Sequence, residues 1–462
     1  MFAHGARGYC CRMLGARRFV SLATVAIPLW ASSAHAQEQE QATPQGPPPS
    51  LVGPVSAEPP PPITPPSLVG PLPGPSPAVE PATPSTQPAT PAHAPSLLPA
   101  GWKPSFTIGG YVEAAYSYSF EKPSNGIINQ RGFDNRHNTF TLQNAVIDAQ
   151  GKLGGLAARI ALQVGQTPDT YYQAEPFKPG TNGGPGASSA ATWRFIQQAY
   201  AGYKFGVARG LAVEAGIFLS PVGLESVQAK EDWNQSRSTL FFALPFYHTG
   251  VRLTLDVTER TSFMLMITNG ANSVADNNAG KSVISQYQYK IPDHLILSLL
   301  YMGGPERDTG ASEGQPWRHL LDGYLSGQAN DWLSLALQWD GAFERNSYGI
   351  SYFGGIAGYA RIHPVSWLYL AARGDFMGEH QGTGPYGTAR AMFAPARWVG
   401  SGTFTVDARP HDHVSFRVEY RHDQAADPIY FRGQVRGDGT TSPFMPNAIA
   451  QNTITAAALA WF

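Results

Sequence analysis

Asn452-Thr453-Ile454-Thr455-Ala456-Ala457-Ala458-Leu459-Ala460-Trp461-Phe462 is the stretch whose reading decides the fold. One phase carries Ile454, Ala456, Ala458, Ala460 and Phe462, all apolar, and the other opens with Thr453 and Thr455. A free carboxylate on a terminal Phe is an odd ending for an apolar segment in water. In a transmembrane β-barrel the last strand must pair with the first, because hydrocarbon tolerates no free backbone edge. Its outer aromatic then sits in an interfacial girdle. Read this way, Asn452–Phe462 is a closing strand, and the chain before it should be a run of hairpins.

The composition agrees. The 462 residues carry only 14% charge and as many as 49 glycines. After residue 36 no run approaches the ~18 consecutive apolar residues of a transmembrane helix. Low charge without long apolar runs suits alternating strands. Residues 1–36 read as a secretory signal. Arg7, Arg12, Arg17 and Arg18 precede an apolar core from Phe19 to Ala31, and Ala34-His35-Ala36 fits a cleavage site before Gln37. Both cysteines, Cys10 and Cys11, fall inside it, so the mature chain offers no disulfide, thiolate metal site or cysteine nucleophile. The formal charge is −1, from 32 basic and 33 acidic residues, and removing the four signal arginines leaves 28 against 33, or −5. This gives no basic footprint for nucleic acid.

From Gln37 to Pro104 the chain is Pro-rich, with 21 of the 40 prolines between positions 41 and 100. Lacking the N–H donor of a helix or ladder, this segment is expected to be a disordered, extended periplasmic linker. Pro48–Pro54 returns in it as Pro65–Pro71. At Ser105 the grammar changes. Phe106, Ile108, Gly110, Val112, Ala114, Tyr116, Tyr118 and Phe120 alternate with Thr107, Tyr111, Glu113, Ser117 and Ser119. That run is longer than the ~5–6 residues usual for a soluble strand.

Similar alternation recurs at Leu156–Val164, Val251–Val257, Leu333–Asp340, Leu368–Phe376 and Val414–Arg421. Seven short connections (near Lys152–Gly155, Gly206–Gly210, Thr258–Arg260, Ile291–Asp293, Gly327–Asp331, His363–Val365 and Arg409–His413) take turns with eight long ones. The long ones lie near Glu121–Asn138, Thr167–Ala190, Ser220–Pro245, Gly270–Gly280, Gly303–Gln315, Ala342–Tyr348, Gly378–Pro395 and Gln424–Pro446. Short periplasmic turns and long outer loops are the asymmetry of an outer-membrane barrel. The fold class expected over 105–462 is therefore all-β: a transmembrane antiparallel up-and-down barrel of about sixteen strands, with fourteen or eighteen open. A soluble β-sandwich is the competing reading. Between Phe140/Leu142 and Ala145/Ile147/Ala149 the phase breaks, which suggests a bulge.

Two segments go beyond the generic pattern. Phe133-Asp134-Asn135-Arg136-His137-Asn138-Thr139-Phe140-Thr141-Leu142-Gln143-Asn144-Ala145 is one. Lys230-Glu231-Asp232-Trp233-Asn234-Gln235-Ser236-Arg237-Ser238-Thr239-Leu240-Phe241, running on to Pro245–Arg252, is the other. With Phe195–Tyr200 and Glu419–Gln424 they resemble the OmpL-like β-barrel porins of Gram-negative bacteria, over essentially all of 105–462. The resemblance implies a water-filled outer-membrane channel for passive diffusion of small hydrophilic solutes. Its expected partners are outer-membrane lipid and the barrel-assembly machinery, with Phe462 in the last strand as the assembly signal. Trimers are common among porins of this size, but nothing in the sequence shows an interface, so a homotrimer stays open. A different reading makes the barrel a structural tether whose Pro-rich arm binds cell wall or a periplasmic protein.

No catalytic motif is present: no Gly-x-Ser-x-Gly elbow, His-Glu-x-x-His or Walker loop. No enzyme, cofactor or metal is expected. His411 and His413, around Asp412, read as a solvated turn, and Asp276-Asn277-Asn278 and Asp134-Asn135 as ordinary loop composition. The ionisable residues in the inward phase are Glu113, Arg159, Arg194, Lys204, Arg252, Asp256, Arg318, Asp322, Asp340, Arg373, Asp375, Arg417, Glu419 and Arg421. Basic groups on the lipid face would cost about 2–4 kcal/mol at mid-depth, so these belong to the pore lining. Eight basic against six acidic groups give at most a mild anion bias. Trp233 and Leu240–Leu244 are too apolar for a solvated loop. Asp232, Asn234, Arg237 and Ser238 could bond an inward turn to the wall. Ser220–Pro245 is thus the candidate constriction loop, the alternative being a cap on the outer mouth or a contact with a neighbouring subunit.

Overall fold

The computed structural model describes residues 103–181, 186–292 and 294–462. The signal sequence at 1–36 and the Pro-rich segment as far as 102 lie outside the described residues. The first eight strands are β1 (Pro104–Ser119), β2 (Thr139–Leu153), β3 (Leu156–Gly165), β4 (Ile196–Phe205), β5 (Leu211–Leu219), β6 (Tyr247–Asp256), β7 (Thr261–Thr268) and β8 (Ser282–Ile291). They are followed by β9 (Leu295–Pro305), β10 (Trp317–Asn330), β11 (Leu333–Asn346), β12 (Gly349–Val365) and β13 (Leu368–His380). The two-residue strands β14 (Thr383–Gly384) and β15 (Gly387–Thr388) form a small hairpin inside a loop. The barrel then resumes with β16 (Trp398–His411), β17 (Val414–Ala425) and β18 (Ala450–Trp461). Short α-helices lie in loops, namely α1 (Thr167–Tyr171), α2 (Ala190–Trp193) and α3 (Thr239–Ala243), and a 3-10 turn spans Ala229–Glu231.

Sixteen of these strands close into one antiparallel barrel, each paired with its sequence neighbours. Closure joins β18 to β1, from Tyr111 opposite Trp461 to Ser119 opposite Thr453. Beyond the ladder, the Phe462 N–H donates to the Gly110 carbonyl at 3.1 Å, and the Gly110 N–H returns the bond at 3.2 Å. The carboxyl-terminal residue is thus stitched to the first strand.

The two phases separate as the alternation requires. Ile454, Ala456, Ala458 and Ala460 face outward, while Thr453, Thr455, Ala457 and Leu459 are buried inside. Phe106, Ile160, Leu337, Phe416 and Val418 belong to the outer surface. Rings gather towards the strand ends, among them Tyr116 and Phe140 at 4.8 Å and Tyr203 and Phe205 at 4.8 Å.

The connections at the end where β1 begins and β18 ends are two to five residues long, as at 154–155 and 206–210. At the opposite, distal end most run from 11 to 30 residues. One differs from expectation. Ala342–Tyr348 is not a long loop, because β11 and β12 extend past it and turn on Ser347 and Tyr348 alone. Asn346 accepts the Tyr348 N–H at 3.0 Å, and Gly349 adopts a φ of +130° that a side chain would strain. The phase break in β2 is a bulge. Glu113 faces Asn144 and Ala114 faces Leu142, leaving Gln143 as the extra residue.

Candidate functional site

The loop between β5 and β6, residues 220–246, does not extend away from the barrel. Leu240 is fully buried among Ala336, Ala357 and Tyr359, whose side chains face inward from β11 and β12. Gly355 makes room for it, since a Cβ there would stand 2.7 Å from a Leu240 methyl. Trp233 meets Tyr359 edge-on at 6.5 Å, and the Arg361 guanidinium lies 4.8 Å from the Trp233 ring.

An irregular segment buried this way must find partners for its backbone N–H and C=O groups. Carboxylates and a side-chain amide take the N–H groups. Gly223 donates to Asp322 at 3.1 Å, and Leu224 to the Gln338 oxygen at 3.0 Å. Gln235 and Ser236 donate to the two oxygens of Glu419, at 2.6 and 2.9 Å. Thr239 donates to Asp375 at 3.0 Å, at the start of α3.

Arginines take the carbonyls. Arg417 donates to Ala229, Asp232 and Asn234 at 2.9, 3.0 and 3.2 Å. Arg373 donates to Ser236 at 2.6 Å, and Arg421 to Arg237. Side chains complete the attachment. The Gln235 amide reaches Glu113 at 2.7 Å, Asn234 reaches Thr405 at 2.8 Å, and Arg373 pairs with the loop's own Glu225 at 2.8 Å. Within the loop, Arg237 pairs with Asp232 at 3.3 Å and donates to the Ser226 and Gln235 carbonyls. Ser238 caps α3 by accepting the Phe241 N–H at 3.1 Å.

The fourteen inward-phase residues therefore fall into groups. Glu113, Asp322, Asp340, Arg373, Asp375, Arg417, Glu419 and Arg421 are at most 7% exposed, and they are buried beneath this loop or beside its attachment. They do not face open water. Asp340 accepts from Gln338 at 2.9 Å, which places its carboxylate beside the Leu224 contact. On the opposite wall, Arg159, Lys204, Arg252 and Asp256 retain exposure. Arg159 pairs with Asp148, Lys204 with Asp256 at 3.0 Å, and Arg252 with Glu214 at 2.7 Å. Arg252 also lies 4.3 Å from the Phe218 ring centre and 5.0 Å from that of Tyr200.

Arg318 sits near the distal rim and shares Glu344 with Arg307, at 3.0 and 2.9 Å. Arg194 departs from expectation. It follows α2 in the loop before β4, solvent-exposed, over Phe195 and 3.4 Å from Asp169, because β4 begins only at Ile196.

Asp148, Glu214, Arg361 and Arg409 were missed in the sequence. The signal for Asp148 was the bulge, which moves the inward phase of β2 onto even-numbered residues. Arg361 shares the phase of Ala357 and Tyr359. It stacks on Trp233 and, at 5.3 Å, on Tyr369, and makes no ion pair with a described residue. Arg409 pairs with Asp407 at 2.8 Å. The two Asp/Asn loop segments have partners within the chain: Asp134 is paired with Arg131, and the Asn278 amide bonds the Pro305 carbonyl at 2.9 Å.

The distal mouth is aromatic. Phe133, from the loop after β1, packs on Phe241 and Phe242, and Tyr171, Tyr172 and Tyr247 cluster within 4.6–5.1 Å. Two distal loops are joined by charge. Arg390 holds the Glu313 carboxyl down to about 2, through bonds of 3.0 and 3.1 Å.

Solved barrels share this architecture. The outer-membrane channel DcaP of Acinetobacter baumannii superposes with a TM-score of 0.51 at 10% identity, over 78% of this chain and 97% of that one. An anion-selective porin from Comamonas acidovorans gives 0.51 at 9% identity, over 78% and 100%. At such identities the likeness concerns the fold alone. No curated protein matches the sequence. A family model described as "Putative beta-barrel porin-2, OmpL-like" matches residues 105–462, and the chain belongs to this OmpL-like porin family.

Proposed function

We propose that the barrel is an outer-membrane pore for passive diffusion of small hydrophilic solutes, and that residues 220–246 form its constriction. The observation that carries this reading is the attachment of the loop's backbone to side chains of β10, β11, β13 and β17. A sixteen-stranded barrel is wide enough for an aqueous channel. A segment fixed mainly to one side of it, and touching β4 through Gln228, narrows the passage and leaves solutes the part-exposed wall of β3 to β6. That remaining wall carries Arg159 with Asp148, Lys204 with Asp256 and Arg252 with Glu214. Balanced pairs of this kind orient polar solutes without selecting strongly by charge. Arg361, with no ion pair to a described residue, tips the balance mildly towards anions.

With an even strand count, β1 begins and β18 ends on the periplasmic side, and the long loops face outward. Deleting Glu231–Ser238 tests the constriction: single-channel conductance should rise in planar bilayers. Unchanged conductance would remove the loop from the path.

A further inference from the structure

We propose that the distal mouth holds a binding site for uncharged solutes that carry one or two rings, a sugar or a neutral aromatic. This rests on the pore reading and names the solute class the pore would concentrate.

Two adjoining cavities lie above the loop, of about 600 and 280 Å³, and both are lined by Gln130 and Phe242. Phe246 lines the larger, and Met377, Met392 and Phe393 line the smaller. The Phe242 and Phe246 rings stand perpendicular, 6.2 Å apart, and both are half-buried. An aromatic and thioether floor is a surface for a flat apolar face. Around it stand amides. Gln130 and Gln173 are exposed, and their side chains make no hydrogen bond to a described residue. Their donors and acceptors are available to hydroxyl groups.

Charge is what the larger cavity lacks. Arg131 is its one lining ion, and its two terminal nitrogens are committed to Asp134 and, at 3.3 Å, to Asp423 and Thr453. A charged solute would lose water here without gaining a counter-ion. A neutral ring loses little and gains both face and edge contacts. Asn135, Thr170 and Asn272 also line the larger cavity and add donors and acceptors suited to hydroxyl groups.

The frame is fixed before any solute arrives. Asn129 donates to the Ile429 carbonyl at 2.6 Å, beside the Arg131 ion pairs. The Met392, Phe393 and Ala394 N–H groups all donate to Glu379, at 2.5–2.8 Å. Phe242 is seated on Gly132, where a Cβ would collide with its ring. Holding the floor and rim in place lowers the entropy cost of binding.

The test uses the full barrel in planar bilayers and two near-isosteric probes, para-nitrophenyl glucoside and para-nitrophenyl glucuronide. The neutral glucoside should block ion current saturably, and the anionic glucuronide about tenfold more weakly. Phe242→Ala should weaken glucoside block about fivefold to tenfold, each variant being referred to its own open current. Gln173→Glu, on the exposed rim, is the second variant and should also weaken it. Equal block by the two probes, or block indifferent to both substitutions, overturns the site. If the barrel carries no ion current, the pore reading fails instead. Equilibrium dialysis of the glucoside against the folded, detergent-solubilised barrel then decides: saturable binding weakened by the same variants upholds the site, and its absence overturns it.

Discussion

Arg373 on β13 and Arg252 on β6 are both inward arginines beside a carboxylate, yet their surroundings have little in common. The Arg373 side chain is fully buried, paired with Glu225 and Asp375 and bonded to the Ser236 carbonyl. The Arg252 side chain keeps 22% exposure and pairs with Glu214 alone. The difference comes from residues 220–246, which bury the charges of β10, β11, β13 and β17. The loop also touches the other side, through Gln228 to Gln197 of β4 at 2.9 Å and Leu244 beside Met266 and Ile284, but leaves Arg252 part exposed. On the covered wall, acids take the loop's N–H groups and arginines its carbonyls. Charge there is structural. On β3, β4 and β6 the same residue types stay part exposed, where the proposed passage would let them act on solutes.

The largest effect should follow Arg373→Met. Breaking a buried pair from one side costs about 3–5 kcal/mol, directed at the loop's hold on the wall. Conductance should rise towards that of the Glu231–Ser238 deletion, while the barrel stays folded by gel-shift on heating. Conductance at the parental level would mean that Arg373 does not hold the loop. Glu419→Gln should act in the same direction but less, since one of two N–H contacts loses its acceptor, at about 1–3 kcal/mol. Current traces should become noisier as the loop detaches transiently.

The part-exposed wall should respond differently. Arg252→Gln leaves Glu214 facing the lumen and should move the reversal potential towards cations. Its cost in barrel stability should stay below about 1 kcal/mol, as for other water-accessible pairs. A large loss in urea unfolding would place Arg252 among the structural charges. The smallest effect concerns pH. Glu313 is held at about 2 by Arg390, below its ordinary 4.5. A depressed carboxyl stabilises above its unfolded value and loses that contribution as pH falls through the folded one. Pepsin cleavage within 381–397 should therefore stay slow at pH 4 and quicken only as pH nears 2.

Much of the barrel was legible because a lipid face and a lumen face demand period-two order. Ile454 to Ala460, Leu156 to Val164 and Val414 to Arg421 all face the way their alternation implies. The β2 bulge showed itself as a slipped phase. The tight turn at Ser347–Tyr348 did not, because a strand that continues beyond the apolar band loses the alternation that marks it. In the lumen, phase told which residues face inward but not what lies over them. Arg417 and Arg159 occupy the same phase of similar strands, and only the path of residues 220–246 separates them. Arg194 failed for a simpler reason: its phase was counted in a strand that starts two residues later.

Accessibility of the two walls tests the account most directly, and the absence of cysteine beyond Cys10 and Cys11 makes it practical. Thr254 on β6 and Thr405 on β16 both face inward, the first half-buried and the second fully covered beside Asn234. A membrane-impermeant thiol reagent should label Thr254→Cys quickly and reduce its current, while Thr405→Cys reacts slowly and its current stays unchanged. Equal labelling of the two would contradict a lumen divided by the loop.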